Sequence, residues 1–150
     1  MSTVFKLDVD EYVDYYCKVY LCQTVCFGFP NILCCPCEYY NLKDFASAVT
    51  VTITNTELKY ERERIKTCWR LSCCDRGRIE KNIPLNRIID VILLEPAGGI
   101  PPRTLYTVKI QTASNSGVNL PELQIVGLKE TDAKKLKSLL VNRRTNNVMK

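Results

Sequence analysis

Nine cysteines and not one histidine define the chemistry open to this chain of 150 residues. Six of the nine, Cys17, Cys22, Cys26, Cys34, Cys35 and Cys37, crowd into the stretch CKVYLCQTVCFGFPNILCCPC. A cysteine sulfur can carry an acyl chain as a thioester, ligate a metal as thiolate, or pack as a small hydrophobe. Cysteines beside an apolar segment are the usual setting for S-acylation, which marks Cys34, Cys35 and Cys37 as lipidation candidates. Cys22-x3-Cys26 together with Cys34-x2-Cys37 would instead supply four thiolates to zinc. The first spacing is wider than the usual two residues, and the neighbours Val25, Phe27, Phe29, Ile32 and Leu33 are oily. The third reading is plain packing. All three stay open at the level of sequence.

Catalysis finds little to work with. Without histidine the commonest general base and metal ligand is missing. There is no Walker loop, no Gly-x-Ser-x-Gly elbow and no Rossmann fingerprint, and Gly98-Gly99 belongs to a proline-rich bend. The expectation is a protein that is not an enzyme and has no cofactor, zinc entering only with the four-thiolate alternative.

The same stretch also carries the strongest physical signal. No charged side chain occurs from Val19 to Cys37, and Gly28 to Asn31 interrupts the run near its middle. Pro30 removes a backbone donor and clashes with the preceding turn, so one straight helix is disfavoured. Two short apolar arms joined by a turn remain, each too short to cross a bilayer. Phe27, Phe29, Ile32 and Leu33 are the residues expected to enter the membrane. Tyr39 and Tyr40 beyond the run, with Tyr12, Tyr16 and Tyr20 before it, flank it as aromatic residues do at lipid interfaces.

Charge is distributed to match. Residues 1–16 hold Asp8, Asp10, Glu11 and Asp14 against Lys6, a net −3, so the remainder carries +8 of the formal +5. Lys59, Arg62, Arg64, Arg76 and Arg78 lie in two neighbouring strands and their turns and are candidates for headgroup contact. Glu57, Glu61, Glu63 and Glu80 are interleaved with them. Nucleic acid is not an expected partner, because neither exposed interleaved aromatics nor a binding motif is present. Residues 1–14 lack the basic start of an export signal, which predicts a chain that is not secreted and thiols held reduced.

The elements that must position these groups follow from periodicity. Leu7, Val9, Tyr12, Val13, Tyr16, Val19 and Tyr20 predict an amphipathic helix over residues 6–20 leading into the apolar hairpin. From residue 47 the period changes to two. Val49, Val51 and Ile53, a break at Asn55-Thr56, then Leu58 and Tyr60 read as a β-hairpin. RIIDVILLE, LYTVKIQT and ELQIVGL read as further strands. Ala133, Leu136, Leu139 and Leu140 share one face of a closing helix at about residues 130–143.

This order of motifs resembles the bacterial-type pleckstrin-homology-like domain. TVTITNTELKY is similar to the family's first hairpin. RGRIEKNIPLNRIIDVILLE is similar to its basic strand, Ile-Pro-Leu and Ile-x-x-Val pattern. LYTVKIQT with LQIVGLKETDAKKLKSLL resembles the closing strands and helix. The resemblance covers about two-thirds of the chain and brings no ligand motif with it. It implies a mainly β fold: a bent antiparallel sheet or barrel of six or seven strands capped by a C-terminal helix. A hydrophobic hairpin often stands directly before such a domain, and residues 17–37 occupy that place. The expected division is therefore 1–45 for the helix and apolar hairpin, 46–144 for the β-domain and 145–150 for a tail. The expected function is a membrane-associated interaction or assembly module on the cytoplasmic face. It would contact the membrane surface, anionic lipid or a protein partner. The alternative is a soluble, zinc-stabilised scaffold subunit of a larger complex.

Overall fold

Alternation builds the sheets. Val49, Val51 and Ile53 turn inward from β2 (Val49–Ile53), and Leu58 does so from β3 (Glu57–Arg62), while Thr50 and Thr52 stay half-exposed. The structure is a computed structural model and describes residues 2–27, 35–66, 76–95, 105–113 and 123–148, without the side chains of 21–27, 35–37 and 144–148. The β2–β3 turn is closed by Thr54, whose hydroxyl donates to the Glu57 carbonyl at 3.0 Å and accepts from the Glu57 N–H at 3.1 Å. That reciprocal bond is a threonine's local competition with the ladder, used here to end it.

Two antiparallel sheets result. The first runs β1 (Thr3–Lys6), β2, β3, β4 (Ile79–Pro84); the second runs β5 (Ile88–Leu94), β6 (Leu105–Thr112), β7 (Leu123–Lys129). Both are meanders of consecutive strands, and between β1 and β2 the chain inserts two helices. The first is α1 (Val9–Phe27) and the second α2 (Cys35–Ala48). The chain closes with α3 (Glu130–Val148), laid on the second sheet.

The mainly antiparallel fold and the closing helix agree with expectation; a barrel does not form among the described residues. β4 ends at Pro84, which has no N–H to continue a ladder. A 3-10 turn at Leu85–Arg87 then carries the chain to the second sheet. No strand pairing joins β4 to β5 or β1 to β7. The sheets meet through side chains: Val51, Ile53, Leu58 and Ile83 from one, Leu105, Val108, Ile110, Ile125 and Leu128 from the other. Ala133, Leu136 and Leu140 of α3 complete this single core, and each large side chain buried there contributes about 1.5–3 kcal/mol. Arg143 ties α3 back to the β2–β3 turn, donating to the carbonyls of Ile53 and Thr54.

The N-terminus departs from the expected single helix over 6–20. Thr3 to Lys6 pair with Lys6↔Thr50 through Thr3↔Ile53, and the helix starts only at Val9. Asp8 explains the start: its carboxylate accepts from the Glu11 N–H at 3.0 Å, satisfying one of the first turn's orphan donors. Residues placed before the β-domain by sequence thus supply its first strand. Phe5, Leu7, Tyr12 and Ala46 join the same hydrophobic cluster as the strands. The helical pair is an insertion between the first and second strands.

Candidate functional site

The root of the helical pair is built from aromatic residues. Tyr12 and Val13 on α1 and Ala46 on α2 are buried, and the Tyr12 ring stacks on Phe45 with centroids 5.7 Å apart and planes at 25°. Tyr16, one turn on, lies 4.6 Å from Tyr12, and Tyr15 meets Tyr16 edge-on at 5.2 Å. Burial raises the phenol pKa of Tyr12, and less strongly that of Tyr16, so both stay neutral across the physiological range. The Tyr12 ring also presses against Gly127 of β7 through its Cδ2–Cε2 edge, and Gly127, with φ of +90°, has no Cβ to collide with it. Residues of the two helices meet in antiparallel order. Tyr12 faces Phe45, while Cys17 and Tyr39 line one common cleft nearer the other end.

A second fastening lies at the start of α1. Lys129 at the end of β7 reaches Asp8 at 2.9 Å and Glu11 at 3.0 Å. The Asp8 carboxyl is held below its ordinary value, first by the Glu11 backbone N–H and then by Lys129. The Lys129 ammonium is raised by the bonds to Asp8 and Glu11.

The far end of the pair holds residues 19–27 and 35–37 of the uncharged run. α1 continues ten residues beyond Cys17 to Phe27, about 15 Å at 1.5 Å per residue. α2 begins at Cys35. Cys22 and Cys26 therefore lie in the last turns of one helix, and Cys35 and Cys37 in the first turn of the other. Their side chains, and that of Phe27, are outside the described set; Phe29, Ile32, Leu33 and Cys34 lie outside the described residues altogether. Cys17, the one cysteine whose side chain is described, is half-buried. Among the described residues there is no group of three metal-ligating side chains, and no helix is long and apolar enough to cross a membrane. At the border of the uncharged run stand Tyr39 and Tyr40, stacked edge-on at 5.6 Å and 45% and 61% exposed. Each of these rings offers an apolar body and a polar hydroxyl at the surface.

The expected headgroup-contact residues are only partly available. Lys59 faces outward but contacts Glu61 at 2.8 Å and Glu80 at 2.9 Å. Arg78 contacts Glu61 at 3.2 Å, Glu80 at 3.4 Å and Glu63 at 3.9 Å. Glu61 is held low mainly by its bond to Lys59, and Lys59 is raised by Glu61 and Glu80. Two cations and three carboxylates thus make a ladder with no positive excess. Arg62 is half-buried at the end of β3, its Nε buried without a hydrogen-bond partner. Arg64 and Arg76 are exposed.

Arg76 belongs to a different place. Its backbone bridges Ile65, with N–H to carbonyl distances of 3.0 and 2.9 Å. Its residue lines a cavity of about 210 Å³ beside the helical root, together with Tyr12, Glu38, Asn41, Leu42 and Phe45. Neither this cavity nor the role of Gly127 is marked by a sequence pattern, because both depend on contacts between distant segments. The Asp8-x-x-Glu11 cap was readable, since a short acidic acceptor three residues before a Glu marks a helix start.

No protein-family model matches the chain, and neither a curated protein nor a solved structure matches it.

Proposed function

We propose that the protein is a non-enzymatic membrane-docking module. The tip of its helical pair enters one leaflet, acylated at Cys34, Cys35 and Cys37, and a pleckstrin-homology-like β-domain faces the cytoplasm as an interaction or assembly surface. One observation supports this: residues 19–27 and 35–37 of the uncharged run lie at the end of a helical pair opposite to the root that packs into the β core. Within the same two helices, the charged residues of α1 stop at Lys18 and those of α2 begin at Glu38. About 15 Å of α1 beyond Cys17 matches half of a hydrocarbon core roughly 30 Å thick. The seven strands in sheets of four and three with a closing helix support the family resemblance.

Docking energy on this account comes from the tip rather than the sheet. A large apolar side chain contributes about 1.5–3 kcal/mol when fully buried. An acyl chain adds about 0.8 kcal/mol per methylene, and one chain alone binds only marginally. The ion-paired face of Lys59 and Arg78 is left for a protein partner or for weak headgroup contact.

The test is flotation of the full chain with vesicles and with cell membranes. Replacing Phe27, Phe29, Ile32 and Leu33 by Ser should move the protein to the soluble fraction. Replacing Cys34, Cys35 and Cys37 by Ser should loosen it and abolish hydroxylamine-sensitive acylation, with the circular dichroism of the β-domain unchanged. A wild-type protein that stays soluble would refute docking.

The zinc-stabilised scaffold, with Cys22, Cys26, Cys34 and Cys37 as ligands, is the second reading, favoured by one feature: Cys22, Cys26 and Cys37 fall at the same end of the helical pair. It requires stoichiometric metal in the purified chain and loss of helical signal on chelation.

A further inference from the structure

The cavity at the helical root combines groups that seldom share so small a space. One face of α2 supplies Glu38, Asn41, Leu42 and Phe45, at the i, i+3, i+4, i+7 spacing of a single helical stripe. Tyr12 closes it from α1, and Arg76 closes it from the short bridge with Ile65. Among the described residues, neither the half-buried Glu38 carboxylate nor the Arg76 guanidinium takes part in an ion pair. One cavity therefore presents a cation, an anion, aromatic rings and an apolar floor. Its volume, about 210 Å³, lies below the usual range for drug-sized ligands, so the occupant is small.

Position adds to composition. Glu38 directly precedes the exposed Tyr39-Tyr40 pair, which borders the uncharged run. If the tip lies in a leaflet, the cavity stands at the depth of the headgroups. We infer that this cavity binds the zwitterionic headgroup of a phospholipid: Arg76 takes the phosphate, Glu38 faces the ammonium, and the Phe45 ring offers its π face to that cation. Guanidinium matches phosphate by charge and planar donor geometry, and aromatic faces attract quaternary ammonium groups. A purely anionic headgroup would meet Glu38 with no compensating cation of its own. The inference names the lipid class of the proposed docking reaction and so rests on that reading.

Net charge makes the test discriminating. At +5, the chain should by charge alone prefer an anionic surface. Flotation at physiological salt is measured with phosphatidylcholine vesicles and, separately, with phosphatidylglycerol vesicles. It uses the full chain and its Glu38→Gln and Arg76→Ala variants, each checked for an unchanged circular dichroism spectrum. The expected result is preference for phosphatidylcholine. Glu38→Gln should reduce that preference about tenfold, the size expected for losing one charge-assisted contact, and Arg76→Ala should weaken phosphatidylcholine binding by a similar factor. Competition by soluble phosphocholine would show that the headgroup alone suffices. Preference without such competition would show that the cavity reads it only at a surface; both support the inference. Flotation that is indifferent to vesicle type and to both substitutions overturns the cavity and leaves docking standing. Failure of every form to float overturns docking and the cavity together.

Discussion

Gly127 and Tyr12 show how one backbone position settles where the helical pair sits. Gly127 holds φ at +90°, a conformation that side-chain-bearing residues adopt with strain, and the Tyr12 ring occupies the space a Cβ would need. Positive-φ strain and overpacking each cost about 1–3 kcal/mol, so Gly127→Ala should destabilise the fold by about 2–6 kcal/mol. Urea denaturation checks this: the midpoint falls and the slope stays constant. Replacing Tyr12 by Leu in the Gly127→Ala background should recover the collision part of the loss but not the strain. An unchanged midpoint in the single variant would show that the ring does not need the notch. None of this is legible in sequence, where Gly127 reads as an ordinary glycine inside LQIVGL and Tyr12 as one tyrosine of a helical stripe. The cysteines are the reverse case. Their crowding is obvious in sequence, yet acylation, zinc and packing all want the same residue type, so spacing alone does not separate them.

Elements were readable in proportion to how far their own pattern extends. β2 alternates throughout, β6 and β7 keep that period on either side of a bulge at Tyr106/Thr107, and α3 repeats Ala133, Leu136 and Leu140 on one face. β5 reads as a strand from its dense β-branched run, although a bulge after Ile88 leaves Ile88 and Val91 as its buried residues, and β3 buries Leu58 alone. β1 has four residues, of which Phe5 alone is buried, and Leu7, Val9 and Tyr12 continue a plausible helical spacing across it. Only its pairing with β2, more than forty residues away, marks it as a strand. The boundary between strand and helix is held by Asp8, and this gives a pH-dependent prediction. The folded Asp8 carboxyl titrates below its ordinary value of 3.8, so the fold favours the ionised form. That stabilisation is complete above pH 3.8 and is lost as pH falls through the lower folded value. Lys129, raised in the fold from 10.5, contributes below that pH and loses its contribution only as pH rises through the higher folded value. Asp8→Asn keeps a capping side chain but removes the charge facing Lys129. Its melting temperature should lie below the wild type's at neutral pH, by less in high salt, and the two should converge in strong acid. A gap that persists at the acid end would assign the effect to the cap instead.

At the scale of the molecule, two sheets and α3 enclose one core, and the helical pair leaves it from between the first and second strands. An insertion of that kind holds its root rigidly, because β1 and β2 pair with each other and Tyr12, Val13, Phe45 and Ala46 pack at its base. Beyond that root α1 runs on to Phe27 and α2 starts at Cys35, so residues 19–27 and 35–37 of the uncharged run lie at the other end of the pair. The expected boundary at residue 46 follows from composition, which changes there; the fold instead uses residues from both sides of it. On the proposed function, the tip of the helical pair and not the sheet meets the membrane. Hydrogen–deuterium exchange of the full chain, with and without phosphatidylcholine vesicles, distinguishes the two. Docking by the tip should slow exchange in α1 and α2, strongest at residues 17–27 and 35–42, with β2 to β7 unaltered. Slowing confined to the Lys59–Arg78 face of β3 and β4, or helices that exchange at the same rate with and without vesicles, would contradict it.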